Sequence, residues 1–359
     1  PMRFEKILID TVAFEAASAA DINQDGRLDI VCGGNWYEAP DWTRHPMCEV
    51  QAQGEYYDDF SDIPMDVNGD GFPDIVTGGW FGETLYWREN PRGKPGPWTV
   101  HSIARIGNIE TTRAWDVDGC GELEIVPNTP PNDQVFFKLN RGPDGRGNGT
   151  FSMYTAMKGP TGHGHGFGDI DGDGRGEIIL SGGWLEPPAD PLSGPWTFHD
   201  EFSLGAASNP ILVHDVNGDG LADLIVGHAH GYGLHWWEQS RDVDGRRTWT
   251  PHVIDMTCAQ YHDMQLVDID HDGELELVTG KRYRAHCGND PGDNDPVGVY
   301  YFKIRQGEFE RHIIDWGPAD SGGSGVGIYF WVEDIDGDGL LDIIAPGKEG
   351  LYLFRNLGP

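Results

Sequence analysis

The amino-acid sequence predicts an all-β protein folded as a seven-bladed β-propeller, a single domain over residues 1–359. Three observations lead to this prediction. One acidic phrase recurs seven times, and successive copies begin about 45–66 residues apart. The residues after the last copy and those before the first copy together make up the length of one more repeat. Four short strands in a repeat of this length are typical of a propeller blade. The 52 Gly and 24 Pro fit many tight turns.

The repeated phrase is predicted to be an acidic turn between two strands. It has the pattern D-x-[DN]-x-D-G, with an acid at its ninth position and aliphatic residues after it. Its copies begin at Asp21, Asp66, Asp116, Asp169, Asp215, Asp268 and Asp334. Apolar residues on both sides predict two flanking strands, and segments such as LYWREN (85–90) and WTVHSI (98–103) predict the other two.

The first strand of the chain is predicted to complete the last blade. The opening segment RFEKILIDT (3–11) resembles EFERHIIDW (308–316), the outer strand of the preceding repeat. We therefore expect residues 3–11 to form the outer strand of the blade that contains Asp334, which would hold the ring closed.

Each acidic turn carries oxygen ligands in an order that suits Ca²⁺. Side-chain oxygens at positions 1, 3, 5 and 9 and a carbonyl at position 7 can surround the cation, and the Gly at position 6 permits the sharp turn. We expect structural Ca²⁺ in six loops, because Cys120 replaces the acid at position 5 of the third copy. The alternative is seven acidic turns without metal. The predicted ligands are Asp21, Asn23, Asp25, Asp29, Asp66, Asn68, Asp70, Asp74, Asp169, Asp171, Asp173, Glu177, Asp215, Asn217, Asp219, Asp223, Asp268, Asp270, Asp272, Glu276, Asp334, Asp336, Asp338 and Asp342.

These seven phrases resemble the FG-GAP or VCBS repeats of a family of β-propellers that includes the integrin head. The resemblance covers the whole chain and implies the propeller fold with calcium-binding loops. It says little about function, because propellers of this family serve as adhesion modules, lectins and enzymes.

The charge of the chain argues against a nucleic-acid partner. A formal net charge of −34, from 59 acids and 25 Lys and Arg, is opposite to what phosphate binding requires. We find no apolar run of about 18 residues, so no membrane span is predicted, and we expect a monomer. The five Cys have no CxxC spacing, and a bridge between Cys258 and Cys287 is left open.

The sequence leaves the cellular compartment open. An acidic, Lys-poor chain with many expected calcium sites and a sequon at Asn148-Gly149-Thr150 favours an extracellular location. A native start at Met2 would favour the cytoplasm.

Residues six positions before each first aspartate are predicted to lie on the face opposite the acidic loops, because six residues of extended strand span about 20 Å. Five of the seven are polar or ionisable, which suggests a binding mouth on the propeller axis. They are Glu15, Phe60, Glu110, His163, Asn209, His262 and Ile328.

Five histidines from three consecutive repeats are predicted to meet at this mouth. Each His-x-His pair is expected to aim both rings at one point, because alternate residues of a strand share a side. Histidine suits proton transfer near neutral pH and binds zinc-like metals, and Arg can clamp a carboxylate. The candidate catalytic residues are His163, His262, His165, His228, His230, Arg113, Arg282 and Tyr261.

A second group is predicted to contact the substrate. It includes residues of the turns after the second strands and of the insertion 283–296, which is long enough to fold over the mouth. The candidate substrate-binding residues are Glu110, Asn35, Trp80, Trp184, Lys281, His286, Tyr57 and Asp59.

Such a mouth favours β-elimination on a carbohydrate, which needs a base, an acid and a group that stabilises enolate charge. The segments GKRYRAH (280–286) and HGHGFGDIDGDG (163–174) resemble two groups of propeller enzymes. One comprises polysaccharide lyases of the rhamnose–glucuronate type, and the other the aldos-2-ulose dehydratases. The resemblance implies a carbon–oxygen lyase acting on a uronate-containing glycan or a keto-sugar, and leaves open one catalytic divalent metal. The alternative is a non-catalytic sugar-binding or adhesion propeller.

Overall fold

The computed structural model describes residues 2–359 and contains seven four-stranded antiparallel sheets. The predicted seven-bladed β-propeller is therefore confirmed. The strands in chain order are β1 (Phe4–Asp10), β2 (Ala17–Ala20), β3 (Asp29–Cys32), β4 (Asn35–Glu38), β5 (Thr43–Pro46), β6 (Ala52–Gln53), β7 (Tyr56–Tyr57), β8 (Ile63–Met65), β9 (Asp74–Gly78), β10 (Thr84–Glu89), β11 (Thr99–Arg105), β12 (Thr111–Trp115), β13 (Glu124–Asn128), β14 (Gln134–Arg141), β15 (Gly147–Met157), β16 (His165–Gly168), β17 (Glu177–Leu180), β18 (Gly183–Glu186), β19 (Thr197–His199), β20 (Leu212–His214), β21 (Asp223–Gly227), β22 (Tyr232–Arg241), β23 (Arg247–Ala259), β24 (Met264–Val267), β25 (Glu276–Gly280), β26 (Val297–Arg305), β27 (Glu308–Gly317), β28 (Trp331–Glu333), β29 (Asp342–Ala345) and β30 (Leu351–Asn356).

Each blade is an antiparallel sheet of four strands. Blades 1 to 6 are β2–β5, β8–β11, β12–β15, β16–β19, β20–β23 and β24–β27, and blade 7 is β28–β29–β30–β1. A short ribbon, β6–β7, precedes blade 2, and two 3-10 helices span Ala285–Gly288 and Ala319–Ser321.

The two ends of the chain meet in blade 7. Strand β1 pairs antiparallel with β30, with Phe4 opposite Asn356 and Ile7 opposite Leu353. One sheet therefore contains both an N-terminal and a C-terminal strand, and the ring is closed by main-chain hydrogen bonds as well as by packing between blades.

The aliphatic residues after each acidic loop form the buried second strands. In β3, for example, Ile30, Val31 and Cys32 are fully buried. Because successive side chains of a strand point to opposite faces, such a run packs against both neighbouring blades.

In four blades the aspartate at position 9 of the acidic loop forms hydrogen bonds both to the loop and to the end of the third strand. The buried Asp29 accepts the backbone N–H of Ile22 at its Oδ2 and that of Ala39 at its Oδ1, both at 2.9 Å. The equivalent residues make the same pair of bonds at 2.7–2.9 Å: Asp74, Asp223 and Asp342. These predicted ligands therefore brace the loops directly.

Four blades also repeat a stacked Trp–His–Glu arrangement. A Trp of the third strand stacks on a His of the fourth, with ring centroids 4.0–4.5 Å apart, and a Glu carboxylate lies 2.7–2.8 Å from the His Nε2. The sets are Trp36–His45–Glu38, Trp87–His101–Glu89, Trp184–His199–Glu186 and Trp236–His252–Glu238. Trp184 is fully buried in this packing, so its predicted role as a substrate contact is wrong.

No helix within residues 2–359 is long and apolar enough to cross a membrane. All five cysteines are free, so Cys258 and Cys287 do not form the bridge that the sequence left open.

Candidate functional site

Four side chains converge on the propeller axis at the face opposite the acidic loops. Glu110, His163 and His262 lie just before the innermost strands of blades 3, 4 and 6, and His230 lies in the turn after β21. One ligand atom from each of the four lies within 4.8 Å of the others. We call Glu110, His163, His230 and His262 the histidine–glutamate cluster.

The atoms of the cluster are close enough to share one proton or one cation. Glu110 Oε1 lies 3.1 Å from Nε2 of His163 and 3.1 Å from Nε2 of His262. The Nε2 atoms of His163 and His230 are 3.1 Å apart. The three rings are nearly perpendicular to one another, so their edges, and not their faces, point at the centre.

The outer ring nitrogens decide which atoms face the centre. Nδ1 of His163 lies 2.7 Å from the carbonyl oxygen of Ala207, and Nδ1 of His230 lies 2.6 Å from Asp290 Oδ2. A carbonyl or carboxylate oxygen can only accept, so both Nδ1 atoms donate, and the neutral ring of His230 presents the lone pair of its Nε2 to the centre. Nε2 of His163 faces the Glu110 carboxylate, so it donates a proton there when no metal is bound and would present its lone pair only to a metal. The buried Nδ1 of His262 has no partner.

This arrangement fits a divalent metal. Histidine nitrogens 2.0–2.1 Å from a tetrahedral metal are about 3.3 Å apart, close to the 3.1 Å between His163 and His230. Two lone pairs at that distance repel each other unless a proton or cation lies between them. Hydrogen bonds from the outer nitrogens to oxygen acceptors are also the usual support of histidine ligands.

Without a metal, the charges of the cluster lie on His163 and Glu110. Burial opposes protonation of His163, but the Glu110 carboxylate outweighs it and raises the pKa of His163. Burial would raise the pKa of Glu110, yet His163 and His262 hold it well below its usual range. Burial lowers the pKa of His230 to about 4 and that of His262 to about 3. The cluster therefore holds one imidazolium beside one carboxylate.

The insertion 283–296 folds onto the cluster as a lid. His286 stacks on His230 with ring centroids 4.0 Å apart, and its Nδ1 lies 2.9 Å from Asp290 Oδ1. Asp290 thus bonds both His230 and His286. Arg284 anchors the lid through two bonds to Glu55, at 2.6 and 2.9 Å.

The lid backbone is strained. Arg284, His286 and Cys287 have φ of 51°, 47° and 57°, a conformation that costs energy for residues other than glycine. Such strain is found where the surrounding structure holds a segment against a site. Asp290 was missed by the sequence analysis, and its spacing of four residues from His286 was the available signal.

Arg113 and Arg282, which were predicted to bind an anionic group of the substrate, form ion pairs with carboxylates of the protein itself. Arg282 bonds Glu15 at 2.8 and 3.1 Å, and Lys348 approaches the same carboxylate at 3.2 Å. Burial would raise the pKa of Glu15, but these two cations lower it to about 2.

Arg113 is engaged in the same way. It bonds Asp263 at 2.9 Å and the carbonyl oxygen of Asn209 at 2.5 Å. Neither Arg113 nor Arg282 therefore presents an unpaired charge to the mouth.

His165 does not join the cluster, and the expectation that both rings of the HGH segment share one target is wrong. Its Nδ1 lies 2.7 Å from Asn209 Oδ1 and its Nε2 lies 3.0 Å from the carbonyl of Val126. Gly164 between the two histidines has φ 102°, so the segment is not extended there and the two side chains diverge. His228 is exposed beside the cluster, where its Nδ1 accepts the backbone N–H of His230 at 3.3 Å.

Three further candidates are buried in structural roles, which corrects the catalytic role predicted for Tyr261 and the substrate contact predicted for Asp59 and Lys281. The hydroxyl of Tyr261 donates to Asp255 at 2.5 Å. Asp59 pairs with Arg88 of strand β10 at 2.7 Å, and the same arginine donates to the carbonyl of Gly33 in blade 1.

Lys281 is the third. Its Nζ donates to the side chain of Gln260 at 3.0 Å and to the carbonyls of Arg282 and Asp293 at 3.1 and 3.3 Å. It fastens the base of the lid.

Three candidates remain at the periphery of the mouth. Asn35 and Trp80 lie at the turns after the second strands of blades 1 and 2, and each is partly exposed. Tyr57 packs edge-on against Phe14, with ring centroids 4.6 Å apart. Asn35, Trp80 and Tyr57 are therefore not part of the histidine–glutamate cluster.

Comparison with known proteins agrees with the fold. Residues 215–279, the span from the blade 5 loop to strand β25, match the FG-GAP-like repeat family. The chain carries an FG-GAP-like repeat. No curated protein sequence matches the chain.

Several solved structures share the architecture. The chain is similar to BBS1N in complex with ARL6DN, with a TM-score of 0.54 and 13% identity over 99% of this chain and 96% of that one. It is similar to Saccharomyces cerevisiae Sqt1, with a TM-score of 0.51 and 12% identity over 99% and 98%. The rhamnogalacturonan lyase YesW gives a TM-score of 0.49 and 13% identity over 97% and 72%. At this identity, the likeness to BBS1N and Sqt1 shows the fold alone.

Proposed function

We propose that this propeller is a carbohydrate lyase or dehydratase that acts by β-elimination, with a divalent metal in the histidine–glutamate cluster. The observation that supports it is the convergence of the Nε2 atoms of His163 and His262 on Glu110 Oε1, each at 3.1 Å, with Nε2 of His230 3.1 Å from Nε2 of His163. A propeller that merely binds would not need three imidazole nitrogens and a carboxylate gathered at one point.

The cluster residues would hold the metal. His163, His230 and His262 would bind through Nε2 and Glu110 through Oε1, while Ala207 and Asp290 keep two of the rings in the required tautomer. A bound metal would polarise a substrate oxygen and stabilise enolate charge. In this arrangement His163 and His262, predicted as acid and base, act as ligands.

The lid histidine then becomes the group placed for proton transfer. Since Nδ1 of His286 is held by Asp290, its Nε2 carries the lone pair. Nε2 would take the proton next to the substrate carbonyl, the C–O bond to the leaving group would break, and a C=C bond would form. The same imidazole, now protonated, can return the proton to the leaving oxygen.

Of the two predicted substrate classes, the site favours a keto-sugar. The charges of Arg113 and Arg282 are balanced by Asp263 and Glu15, so the mouth lacks the free arginine that would grip a uronate carboxylate. The non-catalytic reading shares the same mouth and differs only in having no turnover.

A screen tests the proposal. Keto-sugars and uronate-capped oligosaccharides are incubated with the protein, and the ultraviolet absorbance of a conjugated double bond is followed with and without chelator, while circular dichroism checks folding. We expect absorbance to rise only with metal present, and His286→Ala to abolish the rise. His101→Ala, a matched histidine stacked on Trp87 in blade 2, should retain it. Binding of a glycan without turnover would establish the adhesion alternative, and turnover in metal-free, folded protein would refute the metal.

A further inference from the structure

A cavity of about 380 Å³ lies between the outer strands of blades 5 and 6, at the foot of the lid. Its walls come from strands β23, β26 and β27 and from Asp295 and Pro296, the last residues of the lid. We call it the blade 5–6 cavity. None of the residues that line it belongs to the histidine–glutamate cluster, so it is a second recess, separate from the proposed active site.

One wall of the blade 5–6 cavity is an exposed tryptophan. Trp316 of β27 is 60% exposed, whereas every other tryptophan within residues 2–359 is buried or half-buried. Ile313 of the same strand is 59% exposed and lines the cavity with it. Large apolar side chains grouped at a recess, rather than scattered singly over a surface, are typical of a binding site.

A bulge in β27 brings these two side chains to the same side of the strand. Ile313 and Asp315 lie opposite neighbouring residues of β26, so Ile314 between them is an extra residue without a partner. Residues three apart in a regular strand point to opposite faces, but one extra residue reverses this. Both Ile313 and Trp316 therefore line the cavity.

Tyr300 of β26 lines the cavity from within the sheet. Its side chain is buried, and its hydroxyl end lies against Gly298, the residue opposite Trp316. A Cβ at position 298 would overlap this hydroxyl, so the glycine is what allows the tyrosine ring to occupy the space. The cavity is thus lined by two aromatic side chains, one buried and one open to solvent.

Polar groups accompany this aromatic surface. Nη1 of Arg311 donates to Asp255 Oδ2 at 3.4 Å and to Thr257 Oγ1 at 3.2 Å, and its other side-chain nitrogens make no hydrogen bond within residues 2–359. Asp295 is exposed and accepts the hydroxyl of Tyr232 at Oδ2, which leaves Oδ1 to solvent. The cavity therefore has a planar donor and a planar acceptor that a ligand can use.

The charges at the cavity favour a neutral ligand. Arg311 is paired with Asp255, and Lys281 is held by Gln260 and two main-chain carbonyls. The remaining charged side chain of the lining, Asp295, repels anions, as does the net charge of −34. An anionic ligand would therefore find no unpaired cation here.

A sugar ring has the surface that these groups can recognise. The axial C–H groups of a pyranose form an apolar face, and its hydroxyls lie around the edge as donors and acceptors. An exposed indole can cover the apolar face, while a guanidinium and a carboxylate bond the hydroxyls. A purely apolar ligand would cover Arg311 and Asp295 without replacing their hydrogen bonds to water, which is costly.

We propose that the blade 5–6 cavity is a second, non-catalytic binding site for a neutral pyranose residue of a glycan, with Trp316 as the platform on which the ring stacks. Arg311 and Asp295 bond its hydroxyls. Because Asp295 belongs to the lid, a glycan bound here contacts the segment that covers the histidine–glutamate cluster. The site does not depend on turnover at that cluster.

Titration calorimetry with three hexasaccharides tests the proposal. Cellohexaose and xylohexaose are the neutral probes, and a galacturonate hexamer is the charged one. We expect a neutral probe to bind and the galacturonate hexamer to bind more weakly. Trp316→Ala should weaken binding by about 10-fold or more, and Trp316→Phe should weaken it less, because the smaller ring still stacks.

Control variants locate the binding. Val253→Ala removes another exposed apolar side chain, on β23 but outside the cavity lining, and should keep the affinity. His286→Ala in the mouth should also keep it, while Trp316→Ala should retain the elimination rate of the unmodified protein. Asp295→Ala removes the exposed acceptor and should weaken binding too, which covers the case in which Trp316→Ala does not fold by circular dichroism.

Three results would overturn the proposal. The first is that neither neutral probe binds, and the second is that the galacturonate hexamer binds as tightly as they do. The third is that folded Trp316→Ala and Asp295→Ala bind like the unmodified protein, or that Val253→Ala or His286→Ala loses as much affinity as they do, because binding would then lie outside the cavity.

Discussion

The two ends of the propeller use the same seven repeats in opposite ways. At the acidic-loop end, the same contacts recur from blade to blade: the acid at position 9 holds the loop through the same pair of bonds in four blades, and the Trp–His–Glu arrangement is found in four. At the mouth, equivalent positions hold Glu110, His163, Asn209 and His262, which are not interchangeable. Repeated contacts stabilise the ring, whereas the candidate site is formed where the residues differ from blade to blade.

The largest difference between the two ends should appear in activity. His163→Ala removes one Nε2 from the cluster, and we expect the rate of elimination to fall by roughly 10²–10⁴-fold, with loss of the proposed mouth metal while circular dichroism shows the propeller still folded. His252→Ala at the loop end should keep the rate. Equal losses in both variants would mean that the mouth has no special chemistry.

The next largest effect concerns the ion pairs that support the mouth. Glu15 has its pKa lowered to about 2 from 4.5 by Arg282 and Lys348, which corresponds to about 3 kcal/mol of stability at neutral pH. Because the pKa is depressed in the folded state, this stabilisation is present above pH 4.5 and is lost as the pH falls towards 2. We expect Glu15→Gln to be less stable at pH 7 and nearly equal at pH 2.5 in urea denaturation. A constant difference across this range would contradict the assignment.

A smaller effect is expected on the metal affinity of the mouth, without an effect on the stability of the protein. Asp290→Asn weakens the support of His230, and we expect the affinity for a divalent metal to fall about 10–100-fold in titration calorimetry, without a change in melting temperature. Asp295→Asn is the control, since Asp295 bonds Tyr232 at the side of the lid and not the cluster. The same loss in both variants would indicate a general loosening of the lid.

The smallest effect compares two glutamates at the loop end. Glu238→Gln weakens the bond to His252, and we expect it to cost about 0.5 kcal/mol of unfolding free energy in calcium-free protein. Glu186→Gln weakens the same kind of bond to His199 in blade 4, so its cost should be about the same. Clearly different costs in the two variants would show that blades 4 and 5 do not use this bond in the same way.

The sequence predicted part of the site because the acidic phrase marks the same structural position in every repeat. Counting six residues back from each acidic phrase selected Glu110, His163 and His262, which do converge. The same reasoning failed for His165, because it assumed an extended chain where Gly164 has a positive φ. Tyr261, Asp59 and Trp184 failed because polar or aromatic character alone does not tell whether a side chain faces the mouth or the space between blades.

By itself, then, the sequence determined the seven repeats, the acidic turn in each blade and the closure of the ring, because these follow from local patterns repeated at a fixed interval. Only the tertiary structure decided which side chains meet. The contact of Asp290 with His230 joins residues far apart in the repeat, and the pairing of Arg113 with Asp263 joins blade 3 to blade 6 across the axis. Such contacts depend on the packed geometry of the whole ring, which no local pattern encodes.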